Sequence, residues 1–253
     1  MLRTTALFWL LSLSLAGFAA SAGELTRADV QSILTAAQPG AGANLAGKSL
    51  AGLDLHDLDF SGADLSGADL SDADLRGAKF VRAKLAGAKL VRAKLNLAWI
   101  ISADFSHADL SDAVLETLVV SRGLETQPAE AASFVGANLS GAKVTARFSL
   151  DDMQGANLSH LRASADMRNQ SMGLIRTDFS RANLAGANFD GAGLGRVTFE
   201  FAKLQHARFT GADLSNADFA GADLTEADFT GANTTAASFT SAIMTGVKGL
   251  AKP

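Results

Sequence analysis

The chain has 253 residues, 48% of them hydrophobic, with 24 Gly, 3 Pro, no Tyr and no Cys. Its 26 acidic and 22 basic residues leave a net charge of −4, so no basic field invites nucleic acid and no extreme acidity marks a disordered tail. The lack of cysteine excludes disulfides, thiolate nucleophiles and lipid attachment through sulfur.

Residues 1–22, MLRTTALFWLLSLSLAGFAASA, carry Arg3, then an apolar run from Ala6 to about Ala20, and close on the small-x-small sequence Ala20-Ser21-Ala22. The apolar run is shorter than the ~20 residues that a membrane span needs. A signal peptide cleaved before Gly23 is therefore expected, giving a periplasmic or secreted protein with no stable membrane insertion after cleavage. Residues 23–40 form the next element. Thr26 with Asp29 has the spacing of a capping box, Val30, Ile33 and Leu34 make one apolar stripe, and Pro39-Gly40 ends it. A short α-helical cap is predicted here.

From residue 41 to 120 the chain repeats every five residues. The central apolar residue falls at Leu45, Leu50, Leu55, Phe60, Leu65, Leu70, Leu75, Phe80 and onward to Phe105, Leu110, Leu115 and Val120, and Ala usually stands two residues earlier. Two apart is strand spacing, so Ala and the central residue point the same way. The other three positions are mostly Asp, Asn, Lys, Ser, Thr, Gly or Arg, which suit an outer wall and its corners. A helix cannot bury this pattern, because five residues turn through about 500° and successive centres drift apart. A straight strand cannot either, because an odd period flips alternate centres to opposite faces. The chain must turn a corner once per pentad, which keeps every centre inside.

The pentads ADLSG, ADLSD, ADLRG, AKLAG, ANLAG and ANFDG resemble those of pentapeptide-repeat proteins, whose pattern is A(D/N)LXX. The resemblance implies an all-β fold, a right-handed quadrilateral parallel β-helix (solenoid) with four pentads, or about twenty residues, per coil. Under that wrapping Asp64, Lys84 and Asp104 stack, as do Asp69, Lys89 and Asp109, Lys203 and Asp223, and Arg208 and Asp228. The charges then read as cross-coil ion ladders rather than as a ligand patch, at a strand separation of about 4.8 Å.

The phase breaks after Val120. Residues 121–178 are expected to hold a loop, SRGLETQPAEA at 121–131, and irregular, phase-shifted repeats in which Phe148, Met153 and Leu158 fit one phase and Met167 and Met172 another. A second regular array spans 179–246, with centres from Phe179 to Phe229 that fade through Thr234, Phe239 and Met244. A tail, 247–253, follows.

Several motifs invite chemistry and are better explained by the repeat. GANLAGKS, Gly42 to Ser49, matches a phosphate-loop pattern, but a helix precedes it and pentads follow, the reverse of the strand–loop–helix context that cradles phosphate. Lys48 there takes an inward position that is usually Ala. GAGLG at 191–195 is an in-phase repeat of small residues. His56, His107, His160 and His206 lack metal-ligand spacing from one another. No catalytic, cofactor-binding or metal residue is assigned, and the protein is expected not to be an enzyme.

The outward apolar residues are harder to assign to the repeat. Leu97, Trp99 and Ile101 take outer positions in LAWII, and Val119 should lie beside Trp99 one coil on. Such a cluster is either a partner-binding surface or a face covered by the 121–131 loop. Three functions are compatible with such a chain to different degrees. An exported interaction scaffold, with an unknown protein or cell-envelope component as partner and no nucleic acid, fits best. The resemblance also covers quinolone-resistance proteins that mimic duplex DNA and bind gyrase, but these are cytosolic, and neither an unopposed acidic face nor dimerising terminal helices are evident. A carbohydrate-active β-helix enzyme would need clustered carboxylates, for which Asp151, Asp152 and Asp166 are the nearest candidates.

Overall fold

The computed structural model describes residues 25–37, 42–164 and 176–250. The expected signal peptide, Pro39-Gly40, Asp166, Met167 and Met172 all lie outside these residues.

Each pentad contributes one outward residue to a parallel β-bridge and two inward residues to the core. In the pentad around Leu65, Ala63 and Leu65 are buried and Asp64 faces out between them. Its backbone bonds run both ways along the axis. Asp64 N–H donates to Ala43 C=O in the preceding coil, and Leu65 N–H donates to Lys84 C=O in the following one, at 2.8 and 2.7 Å. The corner closes when Ala68 N–H donates to Leu65 C=O, at 3.0 Å. These three bonds recur in nearly every pentad, so the backbone is satisfied without long strands.

The bridges form four ladders. The first runs Asn44, Asp64, Lys84, Asp104, Ser133, Asp152, Asn183, Lys203, Asp223 and Ile243, and the second runs in step from Ser49 to Lys248. The third, from Asp54 to Asn233, contains the two regular strands, β1 (Val114–Glu116) and β2 (Lys143–Thr145), paired in parallel. The fourth runs Asp59, Lys79, Trp99 and Val119, then Arg147, Asp178, Thr198, Asp218 and Ser238. Partners are twenty residues apart in the regular arrays, as between Asp64 and Lys84. In the middle the offset becomes 29 (Asp104 to Ser133), then 19 (Ser133 to Asp152), then 31 (Asp152 to Asn183). The two long offsets are insertions at corners. The short one comes from a corner that lost a residue, since the outer positions Lys143 and Arg147 are four apart rather than five.

The core is a stack of Leu and Phe columns. Phe179, Phe199, Phe219 and Phe239 stack along the fourth ladder with ring centroids 4.9–5.3 Å apart, and Phe189, Phe209 and Phe229 stack along the second at 4.8–4.9 Å. The two columns meet edge to face, as Phe199 does with Phe209 at 5.9 Å. Each such pair adds about 0.5–1.5 kcal/mol beyond the area it buries. The fourth column loses its aromatics at Ile100 and Val120, and there Phe105 and Phe134 stack in the neighbouring column at 4.9 Å. Aromatic volume is thus shifted by one ladder where the repeat is irregular.

Corners adopt positive φ, which sets a rule between successive coils. Phe201 has φ 55° and lays its ring across Gly221, where a Cβ would come within 2.5 Å of ring carbons. His107 covers Gly136 in the same way, at 2.6 Å. A side chain at one corner therefore requires glycine at the next when it folds over it.

The helix α1 (Arg27–Ala36) begins with the expected capping box, Thr26 and Asp29 each bonding the other's backbone N–H. Val30 is fully buried in the common core, with Leu25, Ile33 and Leu34 packed partly against it. Arg27 ties the helix to the solenoid by donating to Asp54 C=O at 2.7 Å and to His56 C=O at 2.9 Å. Lys48, which the pentad phase turns inward, is exposed. It belongs to the first coil, where the long side chain escapes past the edge to solvent.

Candidate partner-binding face

The expected apolar cluster is divided by the structure. Leu97 is 58% exposed at a positive-φ corner and Trp99 is 38% exposed on the fourth ladder, bridged to Val119 as anticipated. Lys79 places its ammonium 5.7 Å from the Trp99 ring. This cation–π contact contributes about 0.5–1 kcal/mol at an exposed site. Ile101, by contrast, is 1% exposed and is not an outer-wall residue. The inserted loop returns over this corner through a 3₁₀ turn (Pro128–Glu130), and Ser102 fastens it, donating from N–H to Glu130 C=O at 2.8 Å and from Oγ to Ala129 C=O at 2.7 Å. The loop covers Ile101 and leaves Leu97 and Trp99 open.

The fourth ladder is interrupted between Val119 and Arg147, the one adjacent pair in the four ladders without a bridge among the described residues. A cavity of about 630 Å³ opens there, lined by residues 117–121 and 145–147 with Arg176 and Asp178. A smaller one of about 300 Å³ lies beyond Arg147 and includes Leu124, Arg181 and Phe201. Arg147 separates the two. Its Nη1 donates to Leu124 C=O at 2.8 Å, which holds the inserted loop as a side wall. Leu124 and Phe201 are 95% and 59% exposed. Trp99, Val119, Arg147 and Phe201 thus follow one another along a single strip. Pentad reading found its first half. The second half depends on which residues two insertions bring together.

The charged outer residues behave differently from the expected ion ladders. The predicted stacking register is present: Asp64 bridges Lys84, and Asp69 bridges Lys89. Yet Asp64 Oδ1 accepts the Ser66 N–H at 3.0 Å, and Asp69 Oδ1 accepts the Ser71 N–H at 3.0 Å. The Ser66 and Ser71 side chains first, and then these backbone bonds, hold both carboxyls below the usual range, with the lysines a weaker cause. A bond made two residues away costs less chain entropy than a long lysine held across coils. The cross-coil pairs that do close include Arg92 with Asp72, bidentate at 2.6 and 2.7 Å between corners, Lys143 with Glu116 at 2.7 Å, and Arg208 with Asp190 rather than with Asp228.

Asp151 and Asp152 do not form a catalytic pair. Asp151 points inward and is 1% exposed, whereas Asp152 points outward and accepts from Asn183 Nδ2 at 2.9 Å. Neighbours on a strand face opposite sides. Among the described residues no group of three or more His, Asp or Glu could hold a metal ion, and no helix is long and apolar enough to cross a membrane.

A family model described as pentapeptide repeats matches in 8 copies, over residues 41–77, 78–116, 174–200, 192–231 and 217–248. The chain belongs to the pentapeptide-repeat family. The right-handed β-helix goes with that membership, and pentapeptide-repeat proteins are generally non-enzymatic structural or interaction proteins. Similar solved structures include HetL, a pentapeptide repeat protein involved in heterocyst differentiation regulation from the cyanobacterium Nostoc sp. strain PCC 7120, at 24% identity. That alignment covers 88% of this chain and 97% of HetL, with a TM-score of 0.46. Rfr23 from the cyanobacterium Cyanothece 51142 is 26% identical over 46% of this chain and 86% of its own, with a TM-score of 0.40. QnrB1, a plasmid-mediated fluoroquinolone resistance protein, is 21% identical over 81% and 88%, also with a TM-score of 0.40. A comparison with curated proteins finds no match.

Proposed function

We propose that this pentapeptide-repeat protein is an exported, non-enzymatic rod that binds another protein or a cell-envelope component through its fourth wall. The single observation that carries this is the strip of exposed Leu97 and Trp99 with half-buried Val119 beside them, in repeats whose other outer residues are mostly polar. An unassisted solenoid has no need of an outward Trp, and binding surfaces concentrate energy in such aromatic anchors. Ile101 is removed from the set, because the loop already covers it.

The rod is four-sided, one wall for each ladder, and α1 closes its first coil, supported by the burial of Val30 and the Arg27 clamp. Export is supported by the charged, apolar and small-residue pattern of residues 1–22. Mimicry of DNA is disfavoured by the walls themselves, since Asp is interspersed with Lys, Arg or neutral residues along every ladder and only Asp54 and Asp74 follow one another among the described residues.

The test is capture of envelope-fraction proteins on immobilised chain, wild type against Trp99→Ala. The rod function requires a specific protein whose capture the substitution weakens. Intact mass of protein recovered from the envelope fraction tests export, which predicts a chain starting at Gly23. A full-length cytoplasmic species would sink it.

A further inference from the structure

In every regular pentad the outer residue bonds backward with both its N–H and its C=O, while the residues on either side bond forward. At the break in the fourth ladder this pattern leaves two facing edges. Val119 bonds backward as usual, through N–H to Ala98 C=O and C=O to Ile100 N–H, at 2.9 and 3.0 Å. The forward groups, Leu118 C=O and Val120 N–H, have no backbone partner among the described residues, nor do the backward groups of Arg147, its N–H and C=O. Two donors and two acceptors therefore line the two edges in the order that an intervening parallel strand would satisfy. One flanking corner lacks a residue between Lys143 and Arg147, while the chain leaves the other edge at Ser121 for the inserted loop.

We propose that this gap is a slot for an extended, carboxylate-bearing peptide segment of a partner protein, which enters as an additional strand of the broken ladder. An exposed strand edge is a ready template for such pairing, and the main-chain bonds supply affinity. The cavity volume of about 630 Å³ lies within the range of ~300–1,000 Å³ typical of ligand sites. Arg147 pairs with Asp178 at 3.9 Å and Arg176 lines the cavity beside them, so one guanidinium stands in excess over the carboxylates lining it, which favours an anionic group on the incoming segment. Val119 forms one edge of the slot, and Trp99 lies one rung further along the axis, where the rest of the partner would meet it. The slot rests on the interaction-rod function proposed above and gives it a ligand class and a binding mode.

Amide hydrogen exchange on the full chain is the first test. In the free protein the Val120 and Arg147 amides should exchange much faster than those of Ile100 and Asp178, their counterparts in intact rungs. Slow exchange at both would mean the edges are already paired, and would overturn the slot. Next, random heptapeptides displayed on phage are selected on the immobilised chain, and the enriched ones are synthesised. They should share a carboxylate, protect the Val120 and Arg147 amides, and lose binding when alternate peptide nitrogens are methylated. Arg176→Glu, at an exposed position, should weaken them about tenfold, as loss of one charge-assisted hydrogen bond does. No enrichment, or protection elsewhere on the rod, refutes the slot. If Trp99→Ala impairs partner capture while the partner leaves both amides unprotected, the rod function stands and the slot does not. If neither effect is seen, both fail.

Discussion

Asp151 accepts the Ala132 N–H at 2.8 Å from one coil away, inside the core. In a regular pentad the amide of the inward Ala donates to the carbonyl of the preceding centre, three residues back. Ala132 is where the chain re-enters the solenoid after the inserted loop, so that carbonyl is missing. Asp151 supplies the acceptor from the next coil. Thr177, where the chain re-enters after the second insertion, is likewise inward and polar, and its Oγ donates to Val144 C=O at 3.2 Å. At both defects a polar side chain replaces the usual Ala to satisfy a stranded backbone group.

This placement makes stability depend on pH. Burial pushes the Asp151 carboxyl up to about 8, against the opposing pull of the Ala132 N–H, and its Oδ2 has no partner among the described residues. The folded state then holds a proton that the unfolded chain releases near the ordinary value of 3.8. The sign follows: the stabilisation is fully present below about pH 4 and is lost as pH rises through about 8. Asp151→Asn keeps an acceptor for Ala132 and removes the titration. Denaturant unfolding at about pH 5 and about pH 9 should show the wild type losing more stability than the variant between the two. Equal losses would assign the pH dependence elsewhere.

Inside and outside can be separated by neighbouring substitutions. Leu90 is fully buried and Val91 is not. Leu90→Asp places an unpaired carboxylate in the core and should cost more than about 4 kcal/mol or prevent folding, whereas Val91→Ser should stay within about 1 kcal/mol. Thermal melts of the two decide it.

The corner rule gives a double-mutant cycle. Gly221→Ala forces a methyl group into the Phe201 ring, while Gly67→Ala meets nothing within 4 Å, and both positions have similar positive φ. Gly67→Ala should show only the backbone cost of about 1 kcal/mol. Gly221→Ala should cost more, and the excess should vanish in a Phe201→Ala background. Persistence of the excess would mean that the ring is not its source.

Trp99→Ala should leave the melting temperature nearly unchanged, because the ring is part-exposed and its closest charged partner is the single Lys79 ammonium. Binding of a captured partner should weaken by about 2 kcal/mol or more, the loss typical of an aromatic hot spot. Calorimetry on the same two proteins separates the effects. A large drop in melting temperature with binding intact would show a structural role for Trp99.

The pentad phase made most of this legible in sequence. Alternate inward residues and corners follow from a period of five, and the stacking of Asp64 on Lys84 follows from the coil of twenty that the family resemblance implies. What escaped was whatever depends on a neighbour far along the chain. Ile101 has an outward pentad position, but position does not say that residues 128–130 will lie over it. The lysine–aspartate ladders were expected from proximity, and lost to the shorter reach of each Asp to its own corner amide. Asp151 looked like a spare carboxylate because its partner, Ala132, is placed by an offset of 19, which exists only after an insertion and a deletion have both been made.

Three ladders pass through the irregular middle of the rod without a missing rung, and the fourth does not. Under tension along its axis, such an object is held by rungs acting side by side. Between the coil that ends at Val120 and the coil that contains Arg147, one of the four shares of that resistance is absent among the described residues. A pull applied through the two ends should part the rod there first, leaving two stacks that each keep their own core. The joint that accommodates two insertions is then also the mechanical fuse of the molecule.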